Sequence, residues 1–324
     1  MPKNFWEKLQ TLRQTQSEPF FVLAPMADVT DEAFRRIVAK YGKPDVLWTE
    51  FVACDGLQSV GRKHLLHNLL YSENERPIVA QVFGAKPENF AKTAKLIKKM
   101  GFDGIDINMG CPERNIQKQG AGASLMKTPK LAQEIILAAK KGAGTMPVSV
   151  KTRIGYNKNE IETWLPMILE TEPAAVTIHG RTKKEMSEVP AHWDIIRRAV
   201  EIRDGMKSKT LIIGNGDVKN LEEARARAKE TGCDGIMIGR GIFGNPTLFA
   251  GRELSHEEKL AIMIEHTFLF EELFSGIKNF AIMKKHFKAY VEGFKGAKEL
   301  RVKLMETENA AEVKKIVKDF LQGK

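Results

Sequence analysis

Gly235-Ile236-Met237-Ile238, followed by Gly239-Arg240-Gly241-Ile242-Phe243-Gly244, is the stretch on which the fold turns. An apolar run that reads as a buried strand leads into glycines spaced GxGxxG. Two architectures use such glycines to hold phosphate. In a doubly wound dinucleotide fold the motif follows the first strand of a unit, with an acidic residue about 20 positions on. In a (β/α)8 barrel, phosphate is held in the loops after strands seven and eight, at exposed backbone amides. Counting the strands that come before decides between them.

Working back towards the N-terminus, apolar runs occur at Leu211–Ile213, Ala175–Ile178, Val148–Lys151, Gly104–Ile107, Pro77–Val82, Val46–Thr49 and Phe20–Leu23. Each is β-branched or otherwise apolar through its middle, as in strands covered on both faces. Amphipathic helical patterns separate most of them, among them Pro87–Met100, Pro129–Lys141 and Leu221–Thr231, with Pro87 and Pro129 where a first-turn proline is tolerated. The run at Gly235 is therefore the eighth and last. Eight β-α units over about 230 residues predict an α/β chain folded as a (β/α)8 TIM barrel.

Beyond Gly251 the pattern turns all-helical. Ser255-His256-Glu257-Glu258 reads as a capping box opening a helix to about Phe274, with Gly276 just past its end. A second helical stretch is predicted from Lys278 to Lys303. It holds eight basic residues (Lys278, Lys284, Lys285, Lys288, Lys295, Lys298, Arg301, Lys303) against two acids, Glu292 and Glu299, with Phe280, Phe287, Tyr290 and Phe294 interleaved. Cations around aromatic rings suit a phosphate backbone with nearby bases. A solvated lysine face over an aromatic core is the plainer reading, and on the residues alone the better one. The predicted division is a barrel over residues 1–250 and a C-terminal helical domain over 251–324.

The 324 residues suffice for a barrel and an appendage, and 43% hydrophobic content can fill a large core. No apolar run reaches the roughly 18 residues that a membrane helix needs. The polar start, MPKNFWEKLQTLRQ, has no apolar segment before a cleavage site, so a cytoplasmic location is expected. Cys54, Cys111 and Cys233 are odd in number and far apart, which argues against a disulfide framework and a zinc site. A net charge of +10 permits a polyanionic partner without requiring one.

Barrel chemistry gathers where strands end. Strand one leads into Ala24-Pro25-Met26, and strand three carries Gln81 near its end. Strand four runs into Asn108-Met109-Gly110-Cys111, five into Lys151-Thr152-Arg153 and six into His179-Gly180-Arg181. Seven is followed by Asn215-Gly216-Asp217 and eight by Gly239-Arg240. The glycines after strands seven and eight, with Arg240, make a phosphate grip, or else simple tight turns. Lys151 is a cation that can stabilise a developing anion, or a lysine reaching for solvent. Gln81 offers both donor and acceptor. Cys111 stands on a loop to about Thr128 in which Gly120 and Gly122 allow hinge motion, and a thiol there can donate a proton or attack. Cys54 and Cys233 read as small buried residues.

Taken in order, these motifs resemble those of the tRNA-dihydrouridine synthases. The most specific are Ala24-Pro25-Met26, Asp106-Ile107-Asn108-Met109-Gly110-Cys111-Pro112 with Gly120-Ala121-Gly122, Val150-Lys151-Thr152-Arg153, Thr177-Ile178-His179-Gly180-Arg181 and Gly214-Asn215-Gly216-Asp217. Met283-Lys284-Lys285-His286 is similar to the bacterial B-type subfamily. The resemblance implies bound FMN held by Ala24, Pro25, Met26, Gln81, Lys151, His179, Asn215, Gly216, Asp217, Gly239 and Arg240. It implies NADPH or NADH as reductant, hydride transfer to C6 of a flipped-out uracil, and Cys111 as proton donor to C5. Asn108 and Arg181 are implied to contact the substrate, and the basic helical domain to hold tRNA. No membrane partner is expected, and the chain is expected to act as a monomer.

Four positions depart from the family pattern. Asp28 stands where glycine is common, Thr152 and Ile154 flank Arg153, and Glu113 follows Cys111-Pro112 where a small residue is frequent. A carboxylate facing the thiol would raise its pKa. Two rivals stay open: an FMN barrel acting on a small molecule, like a dihydroorotate dehydrogenase or an ene-reductase, and a tRNA-binding protein without catalysis.

Overall fold

In the computed structural model, which describes residues 4–16 and 18–323, the strands form one parallel barrel. In chain order they are β1 (Phe20–Leu23), β2 (Leu47–Trp48), β3 (Val52–Ala53), β4 (Ile78–Phe83), β5 (Gly104–Asn108), β6 (Val148–Arg153), β7 (Ala175–His179), β8 (Leu211–Asn215) and β9 (Gly235–Ile238). Pairing runs β1-β9-β8-β7-β6-β5-β4-β2, and β3 also pairs with β4. A parallel bridge between Val22 and Val46 closes the ring. The glycine motif thus follows the last stave and lies beside the first, as the strand count predicted.

The predicted second strand, Val46–Thr49, differs. It is shortened to β2, and a further short piece not predicted, β3, follows it; both are laid along β4. Glu50 lies between them, and its two carboxylate oxygens bond the Asp28 amide and Lys278, drawing this part of the chain to loop and tail contacts. Several other strands run one or two residues beyond the predicted ends, so Arg153, His179 and Asn215 close β6, β7 and β8.

Side chains alternate across a strand, so one face of every stave turns into the barrel. Trp48, Val79, Ala175, Ile213 and Met237 fill its lower interior. Helix Phe5–Gln16 closes that end with Trp6 and Leu9. The outer faces of the staves meet the surrounding helices in a larger core that includes Phe34, Phe90, Trp164 and Trp193.

The tail opens as predicted: Ser255 caps helix His256–Phe274, and Ser255 and Glu258 complete a reciprocal capping box. The single stretch predicted over Lys278–Lys303 is broken. It consists of a 3-10 turn (Phe280–Ile282), helix Met283–Tyr290, a loop and helix Ala297–Met305, with Ala310–Leu321 beyond. Gly293 and Gly296 in that loop have φ of 81° and 83°, which end a right-handed helix. The aromatic residues turn inward. Phe287 and Tyr290 are fully buried, and Phe280 and Phe294 pack against the same core together with Ala33 and Ile37 of the helix Glu32–Tyr41. The interleaved rings are therefore a core, as the plainer of the two readings has it.

Gly244, third glycine of the motif, serves this docking. It lies at φ 68°, and a Cβ there would sit 2.1 Å from the carbonyl oxygen of Ala289. Only glycine lets the tail helix approach the end of the barrel so closely.

Candidate active site

At the mouth of the barrel, strand register sets side chains next to one another. Gln81, Asp106 and Ser149 are successive partners across β4, β5 and β6. One layer higher, Asn108 pairs with Lys151, and Lys151 with Thr177. The lower layer is a hydrogen-bond chain. Ser149 Oγ donates to Asp106 (2.6 Å), Gln81 Nε2 donates to the other Asp106 oxygen (2.7 Å), and Asn108 Nδ2 donates to Gln81 Oε1 (3.0 Å). Asn108 Oδ1 then accepts the Cys111 amide at 2.9 Å and the Gly110 amide at 3.2 Å. A fully buried carboxylate thereby orients the amide that orients the cysteine loop. Burial pushes Asp106 up to about 6, against the pull of Ser149, Gln81 and Lys151.

Two cavities open above this layer. One, of about 170 Å³, is lined by Ala24, Pro25, Met26, Lys151, His179, Asn215, Gly216, Asp217, Gly239 and Arg240, with Val218 and Met237. The other, of about 180 Å³, is lined by Gln81, Asn108 and Cys111, with Phe51, Gly110, Pro112 and Arg153. Pro25 and Lys151 line both. All the predicted cofactor residues, with Asn108 and Cys111, therefore fall on these two adjoining hollows.

Lys151 Nζ donates to Asn215 Oδ1 at 3.2 Å, while Asn215 Nδ2 donates to the Met237 carbonyl at 2.8 Å. Burial, and then the Arg153 charge, lower the lysine to about 8, so it remains a cation at neutral pH. His179 is held well below its ordinary range by burial and by Arg153, Lys151, Arg181 and Arg240, and is neutral. Its Nδ1 lies 3.4 Å from Arg153 Nη1. A guanidinium can only donate, so Nδ1 accepts and the proton sits on Nε2.

Cys111 is partly buried, and burial raises its thiol above the ordinary value. The Glu113 carboxylate adds a smaller upward push, in the expected direction, but burial is the larger cause. That carboxylate also caps the helix Arg114–Lys118 by accepting the Ile116 amide at 3.0 Å. The loop is packed and does not read as a hinge at Gly122. A Cβ at Gly122 would come within 2.9 Å of the Cys111 carbonyl oxygen, and the Ala123 amide donates to that same oxygen at 3.0 Å.

Arg181, expected at the substrate, lines neither of these two hollows but borders a further cavity with Asp217 and Arg240. It is 2% exposed, and its guanidinium bonds Asp217 and the Val189 carbonyl. Asp217, at φ 57°, also accepts from Arg240 at 3.1 Å, so one carboxylate braces two arginines at the phosphate-type loops. In this arrangement Arg181 supports the loop from behind.

Sequence reasoning missed two residues. Arg153 donates from Nε to the Gly110 carbonyl (2.8 Å) and from Nη1 to the Thr182 carbonyl (3.1 Å), tying the cysteine loop to the segment after β7. Asp106 is the root of the hydrogen-bond chain. Both lie two positions from a recognised residue on the same strand face, Lys151 and Asn108, and period-two alternation is the signal that could have found them.

The dihydrouridine synthase (Dus) family model matches residues 22–323. The chain belongs to the dihydrouridine synthase family. It is 42% identical to a probable tRNA-dihydrouridine synthase of Staphylococcus aureus (strain COL), over 99% of this chain and 96% of that one. It is also 42% identical to probable tRNA-dihydrouridine synthase 2 of Bacillus subtilis (strain 168), over 99% and 97%. Solved structures share the barrel at low identity. Histamine dehydrogenase from Rhizobium sp. 4-9 aligns with a TM-score of 0.53 at 12% identity, over 77% of this chain and 48% of that chain. A 2-naphthoyl-CoA reductase aligns at 0.52 and 10%, over 71% and 49%. Membership of the synthase family makes the mouth of the barrel the place to look for reduction of a pyrimidine double bond.

Proposed function

We propose that this chain reduces the C5–C6 double bond of uridine in tRNA, using bound FMN and NADPH or NADH as the reductant. The observation that carries the reading is the pair of adjoining cavities. One is lined by a cation, a neutral histidine donor and glycine loops braced by Asp217, while the other holds a protonated thiol. The donor set of the first fits a flavin mononucleotide. Lys151 and Asn215 offer hydrogen bonds to its ring, and His179 Nε2, Arg240 and the loops at Gly216 and Gly239 suit its phosphate. When bound, the flavin supplies the hydride, drawn from NADPH, that adds to C6 of uracil.

The chain's own residues do the rest. Cys111 delivers the proton to C5, and its raised pKa keeps that proton on sulfur at neutral pH. Asn108, held by Gln81 and Asp106, fixes the Cys111 amide and so the direction of the thiol. Arg153 holds Gly110 from the other side. Lys151 keeps positive charge where negative charge develops. The balance is one hydride and one proton added across the double bond, with NADPH oxidised.

The base must leave its stack to reach this depth. Residues 251–324 are the part that grips the RNA, through the exposed Lys285, Lys288, Lys295, Lys298 and Lys303, with Arg181 in support of the mouth. Among the described residues no helix is long and apolar enough to cross a membrane. A cytoplasmic enzyme acting as a monomer fits tRNA as substrate. The test is NADPH oxidation by the FMN-loaded protein: unmodified tRNA is expected to stimulate it. Stimulation by a free enone or dihydroorotate, with none by tRNA, would move the substrate to a small molecule.

A further inference from the structure

A buried charge cluster joins the helical tail to the loops that line both cavities. Lys278 leaves the tail with its side chain only 7% exposed, its Nζ 2.5 Å from Glu50 Oε2 and 3.8 Å from Asp31 Oδ2. Those carboxylates are 6% and 1% exposed, and Asp31 Oδ2 has no hydrogen-bond partner among the described residues. The other Glu50 oxygen accepts the Asp28 amide at 2.6 Å. Asp28 is held at φ 52°, in the left-handed region that side chains avoid without support. Thr30 Oγ1 accepts the Met26 amide at 2.9 Å, while Arg35 Nη1 donates to the Thr30 carbonyl at 2.7 Å. The link therefore runs from the tail lysine through Glu50 and Asp28 to Met26, a wall of the first cavity. Phe51, next to Glu50, is a wall of the second.

We propose that Lys278 is a positioning residue through which the docked tail sets the loop 26–31 and Phe51, and so the shape of the cofactor and substrate cavities. The inference rests on the reading that Ala24 to Met26 hold the flavin. Two carboxylates and one ammonium share a buried pocket, with His67 and the Arg35–Glu75 pair nearby. A cluster of this kind is weak as glue, since apolar residues of similar volume usually stabilise as much. Its value lies in direction: removing the lysine leaves two like charges facing each other, and the Glu50 carboxylate that holds the strained Asp28 is freed to move. The outer pair Lys285–Asp28, at 3.4 Å and about half exposed on both sides, adds little energy but repeats the same link between tail and loop.

The test is amide hydrogen exchange and FMN titration on the full-length protein: wild type, Lys278→Met, and Lys278→Met combined with Glu50→Gln. In the single variant, exchange across residues 26–31 is expected to rise at least tenfold. Helix His256–Phe274 should keep its protection, and FMN affinity should fall about tenfold. The double variant removes one of the two uncompensated charges and with it their mutual repulsion, while the carboxamide oxygen brought in by Glu50→Gln can still accept the Asp28 amide. It should recover part of both losses, and it keeps the test valid if the single variant folds poorly. Unchanged exchange over 26–31 in both variants, or loss confined to the tail, would overturn the proposal. If the wild type bound no FMN while loop 26–31 still responded to Lys278, the coupling would stand and the flavin reading would fall.

Discussion

At the barrel mouth, Ser149, Asp106, Gln81 and Asn108 pass hydrogen bonds from one to the next until they reach the Cys111 amide. Under the tail, His266, His286 and Tyr290 are just as buried. There both ring nitrogens of His266, Nε2 of His286 and the Tyr290 hydroxyl have no hydrogen-bond partner among the described residues. The histidine rings lie 4.6 Å apart, and His286 packs 5.0 Å from Phe34. In the mouth, polar groups fix direction. In the tail they pack as aromatic bodies in an apolar core. Between these two regions, connected polar groups go with a directed cysteine and unconnected ones with packing.

The sharpest break of the comparison is Cys111→Ala. It should cut dihydrouridine formation by about 100- to 10,000-fold, the usual worth of a positioned proton donor, with FMN binding unchanged by titration. Phe287→Ala in the tail should do the reverse. It should cost about 3–5 kcal/mol of stability in denaturant unfolding, as loss of a buried phenyl ring does, and leave the cysteine chemistry of the folded fraction intact.

Acid should separate the regions by sign. Asp106 has a folded pKa of about 6, above its ordinary 3.8. The folded state then binds the extra proton, so this group adds stability as pH falls from 6 towards 4. His286 is lowered to about 3 by burial and then by Lys285. There the unfolded state takes the proton first, so stability is lost as pH falls below 6.5. Unfolding curves against pH should become steeper towards acid in Asp106→Asn and shallower in His286→Leu. Lys151, lowered to about 8, should give flavin reduction by NADPH an upper limb that falls above that pH and disappears in Lys151→Met.

The smallest expected effect concerns the exposed lysines. Replacing Lys288, Lys295 and Lys298 by alanine should weaken tRNA binding and flatten its salt dependence by about 0.7–0.9 in log–log slope for each phosphate no longer neutralised. Stability should hardly change. A slope equal to that of the wild type would move the RNA to another face.

The barrel was legible because strands covered on both faces must be apolar along their length, and eight such runs in order leave few alternatives. The rim residues were legible because a strand end is where a polar side chain can face a cavity. Glu50, the shortened second strand and the further piece β3 were not: pairing of two two-residue pieces depends on contacts with loop 28–31 and the distant Lys278, which no local pattern carries. The tail was half legible. Met283, His286, Phe287 and Tyr290 fall at helical spacing and form one buried stripe, yet interleaved lysines gave the stretch the look of a binding surface. Lys278, counted with the basic face, turned out to be buried against two acids.

The most direct test of the central claim is nucleoside mass spectrometry of unmodified tRNA incubated with the purified protein, FMN and NADPH. Dihydrouridine at the expense of uridine is the expected result. A flavin-loaded protein that is reduced by NADPH yet leaves every uridine intact would contradict it.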